Sequence, residues 1–242
     1  MGHTRPDWTT YGKLDQIFAL YDLGELAVRL GSIVSYDRRG NVLWLDDFED
    51  GLIKWKELIG VGVAPWDSAT TKARNGGKSA YTSCSADTSP RAELSKGLPW
   101  RVAGKFGLEV SFATGANESQ PYVKFQVYDG TQLYDFQIRF STTNSLIQYR
   151  DADGNWQNLA TGVNILKGDT YWHTLKLVID SNEGEYIRVL FDGQDYSMAG
   201  IAGAVSASSI APYLLITLAN TTVGGVDSEI YYDDCIITQN ED

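Results

Sequence analysis

The sequence predicts an all-β protein, an antiparallel β-sandwich preceded by a short helix and hairpin arm. Three observations predict it. From about residue 102 onward the pattern is mostly period two, the spacing of strands with one buried face. The runs are FGLEVSFAT (106–114), YVKFQVYDG (122–130), LYDFQIRFS (133–141), YWHTLKLVID (171–180), YIRVLFDG (186–193) and EIYYDDCIIT (229–238). Asp-Gly pairs at 129–130, 153–154 and 192–193 fall between such runs. They read as hairpin turns, because Gly tolerates positive φ. Helical periodicity is almost absent from this stretch, and short strands at regular spacing point to a sandwich.

The elements can be taken in order. In TTYGKLDQIFALYDLGELAVRLGS, residues Tyr11, Leu14, Ile17, Phe18 and Tyr21 stand at helical intervals, and Leu23, Leu26, Ala27 and Leu30 continue the apolar content. Gly12 and Gly24 interrupt the pattern, so one or two short helices are expected. SIVSYDRRGNVLWL then reads as a hairpin about Asp37-Arg38-Arg39-Gly40. A boundary near residue 45 divides an arm (1–45) from a sandwich domain (46–242). A short helix is marginal alone in water, and an arm exposing all these side chains would invite aggregation. The arm is therefore expected to dock, on its own sandwich or, as preferred here, on a neighbouring copy. Its assembly residues would be Tyr11, Leu14, Ile17, Phe18, Tyr21, Leu26 and Leu30. Near the other end, AGIAGAVSASSIA (199–211) is rich in small residues and reads as a long crossover.

Composition narrows the function. With 242 residues, 43% hydrophobic and 12% aromatic, the chain can bury a substantial core. Its net charge of −11 opposes binding to nucleic acid or anionic lipid. No apolar run approaches a membrane span, so membrane insertion is not expected. MGHTRPDW has no h-region, so a Sec signal is absent or already removed. The two cysteines, Cys84 and Cys235, sit in strand-like runs. Buried free thiols are the simpler reading; a bridge would need an oxidising compartment.

Two acidic clusters stand out. LDDFEDGLIKW carries Asp46, Asp47, Glu49 and Asp50, and YYDDCII carries Asp233 and Asp234. Charge within apolar runs is costly unless compensated. Phe-Glu-Asp-Gly-Leu followed by Trp55 resembles the first strand of jelly-roll carbohydrate-binding modules and concanavalin-like lectin domains. Tyr231, Tyr232, Asp233, Asp234, Cys235 and Ile236 resemble their last strand, with Cys235 where those families usually place Val or Ile. TYWHTLKLVID and GEYIRVLFDGQ are similar to paired strands of laminin-G-like domains. The resemblance covers about residues 46 to 238 and implies a jelly roll whose first and last strands lie side by side. It also implies a structural calcium between them, with Glu49, Asp50, Asp233 and Asp234 as ligands, since hard oxygen donors suit that ion. Asp151-Ala-Asp153-Gly-Asn155 reads instead as a plain hairpin turn.

Three function classes remain. The acidic motif of concanavalin-like glycosidases is absent. PRAELS (90–95) resembles a strand of alginate-lyase-like jelly rolls, but the Gln-Ile-His of that family is here Gln137-Ile138-Arg139, which loses the base. His173, inside TYWHTLKL, reads as a strand residue. A non-catalytic protein is therefore expected, with a polysaccharide-lyase-like enzyme as the remote alternative. Sugar binders need flat aromatic rings and polar neighbours, and the central strands offer Tyr122, Gln126, Tyr128, Tyr134, Gln137, Arg139, Gln148, Tyr149 and Trp156. Jelly rolls with N-terminal arms also occur in virion, fibre and surface-layer proteins. That analogy implies a surface or virion component, extracellular, assembled as a homo-oligomer with three-fold symmetry and possessing a glycan site. A free-standing carbohydrate-binding module is the alternative.

Overall fold

The computed structural model describes residues 37, 39–60, 65–69, 72–85, 91–99, 103–221 and 227–242. The part of the arm read from sequence as helical, with all seven assembly residues named above, lies outside them. Among the described residues sixteen strands form two sheets, and every strand pair is antiparallel. The first sheet runs in the order β13 (Gln194–Ala202), β12 (Glu185–Phe191), β11 (Gly168–Asp180), β6 (Lys105–Thr114), β16 (Ser228–Gln239), β4 (Ser79–Cys84) and β3 (Asp67–Ala69). The second runs β10 (Trp156–Thr161), β9 (Leu146–Arg150), β8 (Gln132–Ser141), β7 (Gln120–Tyr128), β15 (Tyr213–Thr221), β5 (Arg91–Pro99) and β2 (Lys56–Ile59). β1 (Asn41–Asp46) pairs with β16, and β14 (Ala204–Ala207) pairs with β8. The 199–211 stretch does cross over: β13 lies in one sheet and β14 in the other. The three Asp-Gly pairs fall in the β7–β8, β9–β10 and β12–β13 turns, with Gly130, Gly154 and Gly193 at φ of 96°, 80° and 82°.

The sandwich takes in part of what the sequence assigns to the arm. β1 begins at Asn41, before the boundary read at residue 45, and its pairing runs from Asn41↔Gln239 to Asp46↔Cys235. Asp37 and Arg39 are tied down as well. On the outer face of the first sheet, Lys176 is fully buried; its Nζ donates to Glu241 (2.8 Å), to the Arg39 carbonyl (3.0 Å) and lies 3.2 Å from Asp37. Arg188 donates to the other oxygen of Glu241 (3.0 Å) and to the Asp242 carbonyl (2.7 Å). Burial pushes the Asp37 carboxyl up, but Arg39 and Lys176 outweigh it and hold the group below its ordinary value.

The core is aromatic. Phe112 is its hub, with Phe140, His173, Phe191 and Tyr232 at ring distances of 5.1, 5.5, 6.2 and 6.4 Å. Burial of each such side chain is worth about 1.5–3 kcal/mol. His173 is a strand residue as expected; one ring nitrogen faces Asp192 (2.5 Å) and the other the Leu166 carbonyl (3.1 Å). Both cysteines are free and buried, and burial pushes the Cys84 thiol up to about 11.

Two core tyrosines tie the sheets together through their hydroxyls. Tyr232 of β16 donates to the Ala219 carbonyl (2.7 Å) and accepts from the Tyr122 amide (3.1 Å). Tyr186 of β12 accepts from the Gln137 amide (2.8 Å) and donates to the Arg150 carbonyl (2.9 Å). A buried hydroxyl needs such partners. Here those partners are the backbones of β7, β15, β8 and β9.

Candidate functional site

Strand alternation sends Val123, Phe125 and Val127 of β7 into the core, together with Phe136, Ile138 and Phe140 of β8. The residues between them face away from it. Strand register then aligns one outward row across six strands: Glu93, Ala219, Tyr122, Arg139, Gln148 and Asn158. At about 4.8 Å per strand the row spans about 24 Å. A second row holds Ser95, Thr217, Lys124 and Gln137. A third holds Gly97, Leu215, Gln126, Asp135 and Ala204.

The side chains on this face are knitted together. The Tyr122 hydroxyl accepts from Arg91 (2.7 Å), and Arg91 also pairs with Glu93. Lys124 shares Glu93 at 3.4 Å. Gln137 donates to Asp135 (2.5 Å) and accepts from Arg150 (3.3 Å). The Arg139 guanidinium lies over the Trp156 ring at 4.1 Å, and its Nε donates to Gln148 (2.8 Å). Trp156 meets Tyr122 edge-on at 6.1 Å. Burial pushes the Tyr122 phenol well above its ordinary range, despite Arg91 beside it. Burial likewise raises the Asp135 carboxyl, against Lys124, Gln137 and Arg150. Asp135 Oδ1 is buried and has no hydrogen-bond partner among the described residues.

Of the expected sugar contacts, the structure brings Tyr122, Gln126, Gln137, Arg139, Gln148 and Trp156 to this face. Tyr128 also points outward, at the far end, stacked on Tyr213 at 4.5 Å. It does not bring Tyr134 or Tyr149 there. Tyr134 pairs with the inward Val127 and packs against the core. Tyr149 pairs with the inward Ile138 and meets the core residue Tyr186 edge-on at 5.9 Å. Sequence reasoning missed Arg91, Glu93, Lys124, Asp135, Arg150 and Asn158. Arg91 and Glu93 belong to PRAELS, and with Gln137 and Arg139 they do share one face. Arg139 stands where that resemblance would need a histidine.

The acidic clusters lie on the outer face of the other sheet. In β16, Ile230 and Tyr232 face the core, and so do Cys235 and Ile237. The alternation slips by one because the β6 pairing is irregular between Asp233 and Ile236, where Asp234 has φ 52°. Such a bulge turns both aspartates outward. There β16 also changes partner, from β4 to β1. The stretch before β4 closes over them. Asp233 accepts from the amides of Arg74 (2.8 Å) and Asn75 (3.3 Å); Asp234 accepts from the Asn75 side chain (2.6 Å) and pairs with Arg74 (3.2 Å). Glu49 reaches the same stretch, accepting from the amides of Gly77 (2.6 Å) and Lys78 (2.8 Å). Burial, helped by Asp234, pushes Asp233 up to about 7.

The clusters therefore meet one loop, but the four expected calcium ligands do not form a cage. Asp50 is exposed and pairs with Lys54 at 3.1 Å. Among the described residues no three His, Cys, Asp or Glu side chains form a metal-holding group. Asp234 Oδ1 is the oxygen left over, buried without a hydrogen-bond partner among the described residues. The 151–155 segment is a hairpin turn as expected, with Asp151 accepting from the Asp153 (3.1 Å) and Asn155 (2.8 Å) amides.

No family model matches the chain, and no curated protein is similar to it by sequence. Solved structures are similar in fold. An endo-β-1,4-glucuronan lyase from the fungus Trichoderma reesei superposes with TM-score 0.55 at 11% identity, covering 83% of this chain and 96% of that one. A Bacillus subtilis protein of unknown function with a galectin-like fold gives 0.53 at 12%, covering 83% and 97%. A carbohydrate esterase from Shiga toxin-encoding bacteriophage phi24B gives 0.51 at 16%, covering 84% and 100%. Carbohydrate-binding modules also match, with lower TM-scores. The chain thus has a jelly-roll β-sandwich fold, similar to the galectin-like fold of the Bacillus subtilis protein. Fold alone does not decide between binding and catalysis.

Proposed function

We propose that the protein is a non-catalytic glycan-binding jelly roll whose ligand lies across the outward face of β5, β7, β8, β9, β10 and β15. The observation that supports it is the aligned row from Glu93 to Asn158, which carries the half-exposed Arg139 and Gln148 and the exposed Asn158, with the half-exposed Trp156 beside them. Catalysis is disfavoured by the residues themselves. Arg139 replaces the base, and the Tyr122 phenol is pushed away from ionisation. The test is a polysaccharide panel with wild type and Trp156→Ala. Binding should appear and weaken about 10-fold or more on losing the ring, the scale of a stacked aromatic contact. Release of reducing or unsaturated ends would overturn the non-catalytic reading; a silent panel would overturn binding.

Calcium remains a proposal in narrower form, at Asp234 with Asp233 and Glu49 and without Asp50, because Asp234 Oδ1 is a buried acceptor awaiting a partner. An ion bound only by the folded state raises the melting temperature. Calcium should raise it over EDTA in wild type and Asp50→Ala, and not in Asp234→Asn. Identical melting in calcium and EDTA would end the idea.

A further inference from the structure

We infer that the glycan held on this face carries an anionic group, and that Arg139 is the residue that pairs with it. The inference rests on the binding reading above and goes further by assigning the class of ligand. The chain as a whole carries −11, yet this face gathers Arg91, Lys124, Arg139 and Arg150 against only Glu93 and Asp135. Glu93 is already engaged in ion pairs, and Asp135 is engaged through one oxygen while its Oδ1 is sealed from solvent. Glu93 serves both Arg91 and Lys124, and Asp135 holds Gln137. Among the described residues neither Arg139 nor Arg150 has a carboxylate within ion-pair distance. Arg150 is spent on neutral acceptors, the Gly154 carbonyl (3.0 Å) and Gln137.

Arg139 is different. Its Nε is used by Gln148 and one face of its plane is covered by Trp156. Its two terminal nitrogens have no hydrogen-bond partner among the described residues. Desolvation lowers its pKa, and no carboxylate offsets that cost. A half-buried guanidinium fixed on one side, with two parallel donors left over, suits a planar or tetrahedral oxyanion bound by both donors at once. A neutral hydroxyl could accept one hydrogen bond, but it would leave the charge uncompensated.

The experiment uses the full chain and two matched pairs of polymers: polygalacturonate with its carboxyl-reduced form, and a sulfated galactan with its desulfated form. The expected result is that an acidic member binds roughly 10- to 100-fold tighter than its neutral counterpart, the range for a charge-assisted pair. The pair that shows the preference identifies carboxylate or sulfate. The preference should shrink with added salt. Arg139→Gln should abolish it, and Arg139→Lys, which keeps the charge but not the fork, should retain part. Melting curves of both variants check that the fold is intact. Equal binding of acidic and neutral forms, untouched by Arg139→Gln, overturns the anion inference while glycan recognition stands. Binding to none of the four polymers overturns both.

Discussion

Lys176→Met should lower the stability of the folded protein by about 3–5 kcal/mol, the usual loss when one partner of a buried ion pair is removed. The methionine fits the space of the lysine stem, so packing is largely kept. What is lost is the ammonium that Glu241, Asp37 and the Arg39 carbonyl all face. Glu241 would then keep Arg188 as its cation among the described residues, and Asp37 would keep Arg39 with Arg188 farther off at 3.7 Å. Denaturant unfolding measures the loss, and melting should fall by on the order of 10 °C for a chain of this size. Acid gives a second reading. Asp37 is held below its ordinary value of 3.8, so its contribution is complete above that pH and disappears as pH falls through the lower, folded value. Part of that lowering comes from Lys176. The gap between wild type and Lys176→Met should therefore narrow on acidification below about pH 4. A variant as stable as wild type at neutral pH would show that the buried cluster does not hold the chain ends.

Asp46→Ala should cost about 2–5 kcal/mol. Asp46 is buried and serves three donors: Trp55 Nε1 (2.8 Å), Lys54 Nζ (2.9 Å) and the Phe48 amide (3.3 Å). Lys54 can turn to water. The indole and amide cannot, and an orphaned buried donor costs about 1–3 kcal/mol. The same contacts hold Phe48 at φ 57°, a strained value for an aromatic residue, with its ring stacked on Trp55 at 5.5 Å. Asp46→Asn keeps one acceptor and the shape, so it should cost clearly less than alanine. Urea unfolding followed by tryptophan fluorescence tests both. Alanine and asparagine variants of equal stability would remove Asp46 as the anchor of this corner.

Much of the architecture was legible because strand alternation and Asp-Gly turns are local signals. The β7, β8, β11 and β12 runs lie where the period-two pattern puts them. Two features of the site were written there too, yet easy to misread. Tyr134 and Arg139 are an odd number of residues apart in one strand, so they face opposite sides; Gln148 and Tyr149 are neighbours and do the same. Parity alone would have removed both tyrosines from the sugar-binding set. Parity also groups Glu93 with Arg91, and Lys124 with Tyr122. Their meeting depends on pairing β5 and β7 through β15, which no local pattern reports. The bulge at Asp233-Asp234 is a third kind of case. Simple alternation buries one aspartate and exposes the other. Only the bulge in the pairing of β16 with β6 explains why both face out.

The change of partner along β16 also sets an order in time. Among the described strands β1 is made first, and β16, whose edge it occupies, is made last. Asn41 and Gln239, which end up opposite each other, are separated by nearly the whole chain, and contacts between such distant positions form slowly. Until β16 is made, β1, with the half-exposed Val42 and Leu45 on it, has no strand to join. A nascent chain of this protein therefore carries an unpaired, apolar strand while the strands between the two are synthesised. The first sheet closes only when β16 slots between β6 on one side and β4 and β1 on the other.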